Sequence, residues 1–376
     1  MNFKKADQLI RNLNHKRIDA SRSGVLALMA FFLNRISRFT KGPIGDEPIL
    51  VLRLDDKVGD SVTATGFLRE LKRSHPKNKL MVVAGPLTAQ IYRPLAFIDE
   101  IIIAKKGIVS TWRTFFKLND RSFKYIINTS HILTPRVLFL TSLLKSYKKL
   151  SFLNRDYSLF SDHIDFNFHD HHVTERYRRT LLHLDIQEAK LHYELKVDDD
   201  LLKAAATQIN NLKKGERKII ALNCFAGARL RNFKKDTTFK LVKGLLQNSK
   251  VVVVSIGNAG DLNVIKTWIS ELNDPRWVCF ENNPGLFENC ALVHFADLLI
   301  TPDTAWVHLG SALQKKIIAV YREDSLLEKN SVIWSPYYHT ETAIVMAPFH
   351  QDQPFDINTV NVDQIVELAH KMLGLS

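Results

Sequence analysis

The sequence predicts an α/β protein built as two successive parallel-sheet units, and three observations carry that reading. From Pro48 onward, short apolar runs alternate with segments of helical spacing, the pattern that βαβ units impose. The alternation is interrupted by a polar, histidine-rich stretch and starts afresh at Lys218. The length of 376 residues also exceeds what one such unit usually holds.

In chain order, strands are expected at Ile49–Leu54, Leu80–Ala84, Glu100–Ile103 and Tyr125–Asn128. Helices are expected over Val62–Leu71 and around Arg136–Leu144. The polar segment Asp162–Arg179 follows, leading through a helix to Leu184. Val197–Glu216 then reads as a helix with a polar exit. The second set has strands at Lys218–Asn223, Lys250–Ile256, Trp277–Phe280, Leu298–Ile300 and Ile317–Tyr321. Its helices are expected at Thr237–Gln247, Leu262–Leu272, Leu286–Phe295, Ala305–Leu313 and Val362–Leu373. Two such sets read as two Rossmann-like domains facing a central cleft, with ligands outside the carboxyl ends of the strands. The expected division is a basic extension over 1–46, one domain over 47–196, a second over 197–348, and a C-terminal segment over 349–376.

A net charge of +13 implies an anionic partner or a basic solvated surface. Nothing but charge favours nucleic acid: there is no RNP pattern, zinc finger or basic zipper, and no nucleic-acid partner is expected. Cys224, Cys279 and Cys290 have neither disulfide nor metal spacing, so they read as core residues of a reducing compartment. The apolar run Val25–Leu33 is too short to span a bilayer. Lys4, Lys5, Arg11, Lys16, Arg17 and Arg22 precede it, and Arg35, Arg38 and Lys41 follow. That composition suits an interfacial anchor, or a helix packed on the protein's own core.

Four segments could carry chemistry. In the first, Gly59-Asp60 follows the first strand, where a helix N-terminus favours a carboxylate suited to act as general base. An N-cap role for Asp60, with the helix beginning at Ser61, is the plainer reading, and Asp55 and Asp56 compete for the base. In the second, Asp303, Thr304 and Ala305 lead into a helix carrying His308. The free N–H groups there suit a diphosphate, while an ordinary cap with a core histidine is the alternative. The third runs from Leu222 to Lys235 and carries Arg229, Arg231, Lys234 and Lys235, either as phosphate ligands or as a solvated basic loop. The fourth is His163 with His169, His171 and His172. It lacks the spacing of a zinc site, so acceptor recognition or helix capping is preferred and no metal is expected.

Taken together these segments resemble the ADP-heptose:lipopolysaccharide heptosyltransferases, glycosyltransferase family 9. The marks are Val58-Gly-Asp60, Leu68-Arg-Glu-Leu-Lys72, the basic loop Asn223–Lys234, and Pro302-Asp-Thr-Ala-Trp-Val-His308. Asp303–His308 and Ile333-Trp-Ser-Pro-Tyr-Tyr-His339 bring it nearest a branch that modifies the lipopolysaccharide core. The chain departs from the family pattern at Pro302, at Ala305 in place of glycine, and at Cys224-Phe225 in place of Pro-Gly.

The resemblance implies the GT-B fold and an inverting transfer with no covalent enzyme intermediate. It implies a nucleotide-sugar donor, ADP-heptose or a UDP-sugar, and a lipopolysaccharide core acceptor. The enzyme is expected on the cytoplasmic, inner face of a Gram-negative inner membrane, peripheral on its anionic surface. Asp60 would be the base. Gly59, Asn223, Arg231, Lys234, Asp303, Thr304, Ala305 and His308 would form the donor site, with no cofactor and no metal. Domain closure would bring Asp60 to the donor. A nucleotide-sugar epimerase of the same architecture and a non-catalytic sugar-nucleotide-binding protein remain the alternatives.

Overall fold

The computed structural model describes residues 32–33, 35–42, 45–130, 134–152, 158–166, 170–187, 189–280, 285–324, 329–337, 341–348 and 356–375. Most of the basic extension, including the run from Val25 to Ala30, lies outside them, as do His169 and His339. Among the described residues no helix is long and apolar enough to cross a membrane.

Two compact units divide the chain. The first takes in the chain through Asp56, then Leu68–Phe166 and Arg179–Gln187. The second takes in Lys57–Phe67, Asn167–Arg178 and everything from Glu188. The helix carrying Asp60 and the later part of the polar segment, from Asn167 to Arg178, therefore belong with the second unit.

The first unit contains β1 (Ile49–Arg53), β2 (Leu80–Ala84), β3 (Glu100–Ile103), β4 (Ser122–Asn128), β5 (Lys145–Phe152) and β6 (Asp162–Ile164). They form one parallel sheet in the order β3-β2-β1-β4-β5-β6. β1 is buried along its whole length because it lies at the centre, and its run Ile-Leu-Val-Leu covers both faces. β5 and β6 extend the sheet beyond the four strands expected. β5 carries Lys145, Lys148 and Lys149 and therefore shows no apolar run; pairing with β4 makes it a strand.

In the second unit β7 (Lys218–Asn223), β8 (Val251–Ile256), β9 (Trp277–Cys279), β10 (Leu298–Pro302), β11 (Lys316–Arg322) and β12 (Thr342–Ala347) form a second parallel sheet. Its order is β12-β11-β10-β7-β8-β9. Counted from its own first strand this is the order of the first sheet, so both units are doubly wound, with a switch point between the first and fourth strands. Residues from β7, β8, β10 and β11 build its core with Phe233, Trp277 and Met372, each aliphatic or aromatic chain contributing roughly 1.5–3 kcal/mol by leaving water. The indole N–H of Trp277 is satisfied there by Ser255 Oγ at 2.9 Å.

The helices of the first unit that matter below are α4 (Ile108–Phe116) and α5 (Pro135–Leu143); α3 (Thr88–Tyr92) precedes them. α1 (Val58–Thr63) follows β1 and is separated at Ala64 from α2 (Thr65–Ser74); α6 (Thr174–His183) follows β6. The second unit continues with α7 (Asp199–Leu212), α8 (Lys235–Leu245), α9 (Ala259–Leu272), α10 (Leu286–Phe295), α11 (Ala305–Ala312), α12 (Asn330–Ile333) and α13 (Val362–Met372). Of the cysteines, Cys224 and Cys290 are buried, and none of the three is in a disulfide. Burial pushes the Cys224 thiol up to about 12, so it behaves as a core side chain.

Candidate active site

The site lies in the second unit, at the carboxyl ends of β7 and β10, beside the switch point of its sheet. β7 ends in Asn223 and β10 in Pro302, so Asp303 and Thr304 emerge at the carboxyl end of the sheet before α11 begins. Thr304 is the N-cap, its hydroxyl accepting from the Trp306 N–H at 3.1 Å. The Val307 N–H is taken by the Thr304 carbonyl at 3.1 Å. The Trp306 and Val307 N–H groups are thus satisfied within the turn, and among the described residues the N–H groups of Thr304 and Ala305 have no protein acceptor and are left for a ligand.

Asn223 braces this turn. Its amide nitrogen donates to Thr301 Oγ1 at 2.9 Å and to Thr304 Oγ1 at 3.3 Å, and its oxygen accepts from the Phe225 N–H. Thr301 spends its one proton on the Pro302 carbonyl, so Thr304 is the donor in the 3.1 Å contact between the two hydroxyls. Fully buried, Asn223 stitches strand to cap.

Arg231 stands in a short 3₁₀ turn, Arg229–Arg231. Its Nη1 donates to the Asp303 carbonyl at 3.0 Å and to Oδ2 at 2.9 Å. Asn330 Nδ2 lies 3.4 Å from the same carboxylate oxygen. Burial raises the Asp303 pKa above its ordinary value, and the Arg231 guanidinium opposes that rise. Only Nη1 of Arg231 is engaged among the described residues, which leaves the rest of the fork for an anion. Lys234 precedes α8 and its ammonium is ion-paired with Asp356.

α1 brings the second half of the site. The helix begins at Val58, so Asp60 sits within its first turn and not at the cap; the sequence reading that began the helix at Ser61 is corrected. A β carbon at Gly59 would lie 3.0 Å from His308 Cδ2 and 3.3 Å from the α carbon of Ala305. Glycine is therefore what lets α1 rest against the start of α11. Domain closure is not needed to bring α1 to this turn, since both belong to one unit.

Asp60 is 8 % exposed, and its Oδ1 is 3.5 Å from Nη2 of Arg176 on α6. Arg176 is fully buried, donates to the Tyr177 hydroxyl at 2.7 Å and lies 4.6 Å from the centre of that ring. Phe67 stacks on the other partner of this pair, Tyr177, at 5.2 Å. A cation thus supports the carboxylate from within, while Thr63 Oγ1 fixes the Asp60 backbone carbonyl at 2.9 Å.

His308 is buried beneath α1, among Tyr193 and Trp334. Burial drives its pKa down to about 3, so the ring is neutral. His172 is held neutral too, at about 4, chiefly by burial. Its Nδ1 accepts from the Thr174 N–H and its Nε2 donates to the Ser335 carbonyl at 3.1 Å. Its ring stacks on Tyr337 at 4.4 Å. Among the described residues no group of three or more His, Cys, Asp or Glu is arranged to hold a metal ion.

The structure therefore gathers Gly59, Asp60, Asn223, Arg231, Asp303, Thr304, Ala305 and His308 around the β7 and β10 ends, and ties Lys234 to Asp356. Sequence reasoning missed Arg176. It lies in the histidine-rich segment, which carried no motif; an arginine beside a tyrosine on a helix was the only available signal.

A doubly wound parallel sheet repeated in two units, with an acidic helix turn packed against a helix cap, is the GT-B fold. The family model for glycosyltransferase family 9 (heptosyltransferase) matches residues 112–360, and the chain belongs to that family. An Escherichia coli K12 protein described, provisionally, as lipopolysaccharide heptosyltransferase 4 is 23% identical over 363 residues, covering 92% of this chain and 94% of its own. The solved glycosyl transferase family 9 structure from Veillonella parvula is similar over 90% of this chain and 100% of its own, with TM-score 0.73 and 16% identity. The E. coli ADP-heptose lipopolysaccharide heptosyltransferase II structure is similar over 87% of this chain and 98% of its own, with TM-score 0.66 and 16% identity.

Proposed function

We propose that this glycosyltransferase moves a heptose from a nucleotide-diphosphate sugar to the lipopolysaccharide core. ADP-heptose is the first donor to test, on the strength of the named relatives, and a UDP-sugar the second. The observation that supports the reading best is the packing of Gly59 on Ala305 and His308, which sets the turn of α1 that carries Asp60 against the start of α11.

In this mechanism an acceptor hydroxyl oxygen attacks the anomeric carbon while the bond from that carbon to the diphosphate oxygen breaks. Asp60 takes the hydroxyl proton. The leaving diphosphate is received by the Ala305 N–H and the free arms of Arg231, with Lys234 released from Asp356 to join them. Asp303 holds donor-sugar hydroxyls. Fixed dipoles and cations stabilise the leaving charge without a metal or cofactor. The enzyme works on the cytoplasmic side, peripheral at the inner membrane, where core acceptor and anionic lipid both suit a chain of net charge +13.

The test is nucleotide release from ADP-heptose and UDP-hexoses with truncated lipopolysaccharide cores, for wild type and Asp60→Asn. Acceptor-dependent release with one donor, lost in the variant, is expected. Isomer formation without acceptor, or donor binding with no transfer in any pair, overturns it.

A further inference from the structure

A surface of the first unit takes no part in this chemistry. α4 starts after a turn at Gly107, whose φ of 110° suits glycine. Its outer side leaves Ile108 78 %, Val109 65 %, Trp112 43 % and Phe116 63 % exposed. These side chains are contiguous with an aromatic cluster: the Trp112 ring lies 5.8 Å from Phe116 and 4.8 Å from Phe139 on α5. A cavity of about 410 Å³ opens among Ile108, Thr111, Trp112, Pro135, Arg136 and Phe139. Water-facing apolar surface on this scale marks an interaction site.

Charge indicates what covers it. Lys105, Lys106, Arg113 and Lys117 are exposed on and beside α4, and no Asp or Glu falls between Ala104 and Leu118. Phe32 and Ile36 are exposed as well, with cationic Arg35 and Arg38 beside them in sequence, and Leu33 packs on the same core as Phe115 and Phe139. A second copy of this chain would set these cations against like charges. An anionic bilayer meets both halves of the surface. Its headgroups pair with the cations, and its acyl boundary receives the aliphatic side chains, with tryptophan at the interface between them.

We infer that the α4 face, with Ile108, Val109, Trp112 and Phe116 at its centre, docks on an anionic lipid surface. Membrane contact would then rest on folded residues of the first unit and not only on the basic segment before Phe32. The inference stands apart from the chemistry proposed above, because lipid binding is read without turnover.

The test is co-sedimentation of the full chain with vesicles of phosphatidylethanolamine and phosphatidylglycerol, against phosphatidylcholine alone. Wild type should partition at least tenfold better into the anionic vesicles, and the double variant Ile108→Asp/Phe116→Asp should lose at least tenfold of that. In the wild-type protein, brominated lipids should quench an emission component that is missing from Trp112→Phe. Nucleotide release on a soluble, deacylated acceptor should stay at the wild-type rate in the double variant. Undiminished partition of the double variant, quenching that is the same in Trp112→Phe, or binding lost only on deleting residues 1–31 would each overturn the assignment.

Discussion

Gly59 and His308, far apart in the chain, meet so closely that a methyl group on the first would stand 3.0 Å from the ring of the second. Helix propensity alone favours alanine over glycine by about 0.5–1 kcal/mol. Here the added β carbon also meets the Ala305 backbone at 3.3 Å, which cannot rotate aside. Gly59→Ala is expected to lower kcat about tenfold as α1 and Asp60 back away, and Gly59→Val should also cost about 1–3 kcal/mol of stability. Steady-state kinetics and thermal melts check both. Full activity with an unchanged melt in Gly59→Ala would show that the contact has slack.

Asp60 and Arg176 form the buried half of the site. Asp60→Asn should lower kcat by about 10²–10⁴, the range for loss of a positioned general base. Arg176→Met should lower kcat more than it raises KM, because it removes the charge beside Asp60 and the stacking on Tyr177. Arg176→Lys should fall between, keeping the charge without the flat guanidinium. Equal kcat in Arg176→Met and wild type would remove Arg176 from the positioning of Asp60.

How far the sequence foretold this arrangement depends on what each residue's neighbours are. Lys218–Asn223 and Leu286–Phe295 match their expected bounds residue for residue, because each is an apolar run closed by polar or glycine punctuation. The Asp303–Thr304 turn was legible for the same local reason: a cap follows a strand. β5 was not, since its three lysines hide a strand that exists through pairing with β4. Asn223 was expected to face the donor, and its commitment to Thr301 and Thr304 depends on a contact 78 and 81 residues away. Arg176 likewise reaches Asp60 across 116 residues, a distance that no spacing rule spans.

Arg231 holds Asp303 through one nitrogen and leaves its remaining donors to the anion. Arg231→Gln is therefore expected to raise KM for the nucleotide sugar about tenfold, near 1.4 kcal/mol, with a smaller change in kcat. Asp303 would lose the cation that offsets its burial, so the variant should also melt lower. Adding Asp303→Asn should recover the melt without recovering KM. Recovery of both would mean that Arg231 serves only its carboxylate partner.

The two neutral histidines make stability depend on acid. His308 and His172 titrate near 3 and near 4 in the fold, below the ordinary imidazole value. On lowering the pH through about 6.5, the unfolded chain takes up protons that the folded chain refuses. Stability should therefore fall from about pH 6.5 towards pH 4, by up to about 1.4 kcal/mol per pH unit for each ring. His172→Gln, which keeps a donor for Ser335, should flatten the slope of urea-unfolding free energy between pH 6.5 and 4.5 by about one proton. An unchanged slope would place the proton uptake elsewhere.

Lys149 supplies the opposite experiment in the first unit. Its ammonium is buried, reaching Ser37 Oγ at 3.1 Å and lying 4.6 Å from the Phe39 ring. Burial, aided by Arg38, lowers its pKa to about 7, so the folded chain sheds this proton well before the unfolded chain does. Between about pH 7 and 10.5 the unfolded state binds the extra proton, and stability contributed by this group rises with pH across that window. Below pH 7 the fold carries the full cost of an interior charge. Lys149→Met, close in volume and uncharged, should therefore stabilise the protein at pH 7 by on the order of 2 kcal/mol. The gain should shrink steadily by pH 10. Urea unfolding of both proteins at pH 7, 8.5 and 10 measures it, and a gain independent of pH would mean that packing, not the buried charge, separates the two side chains.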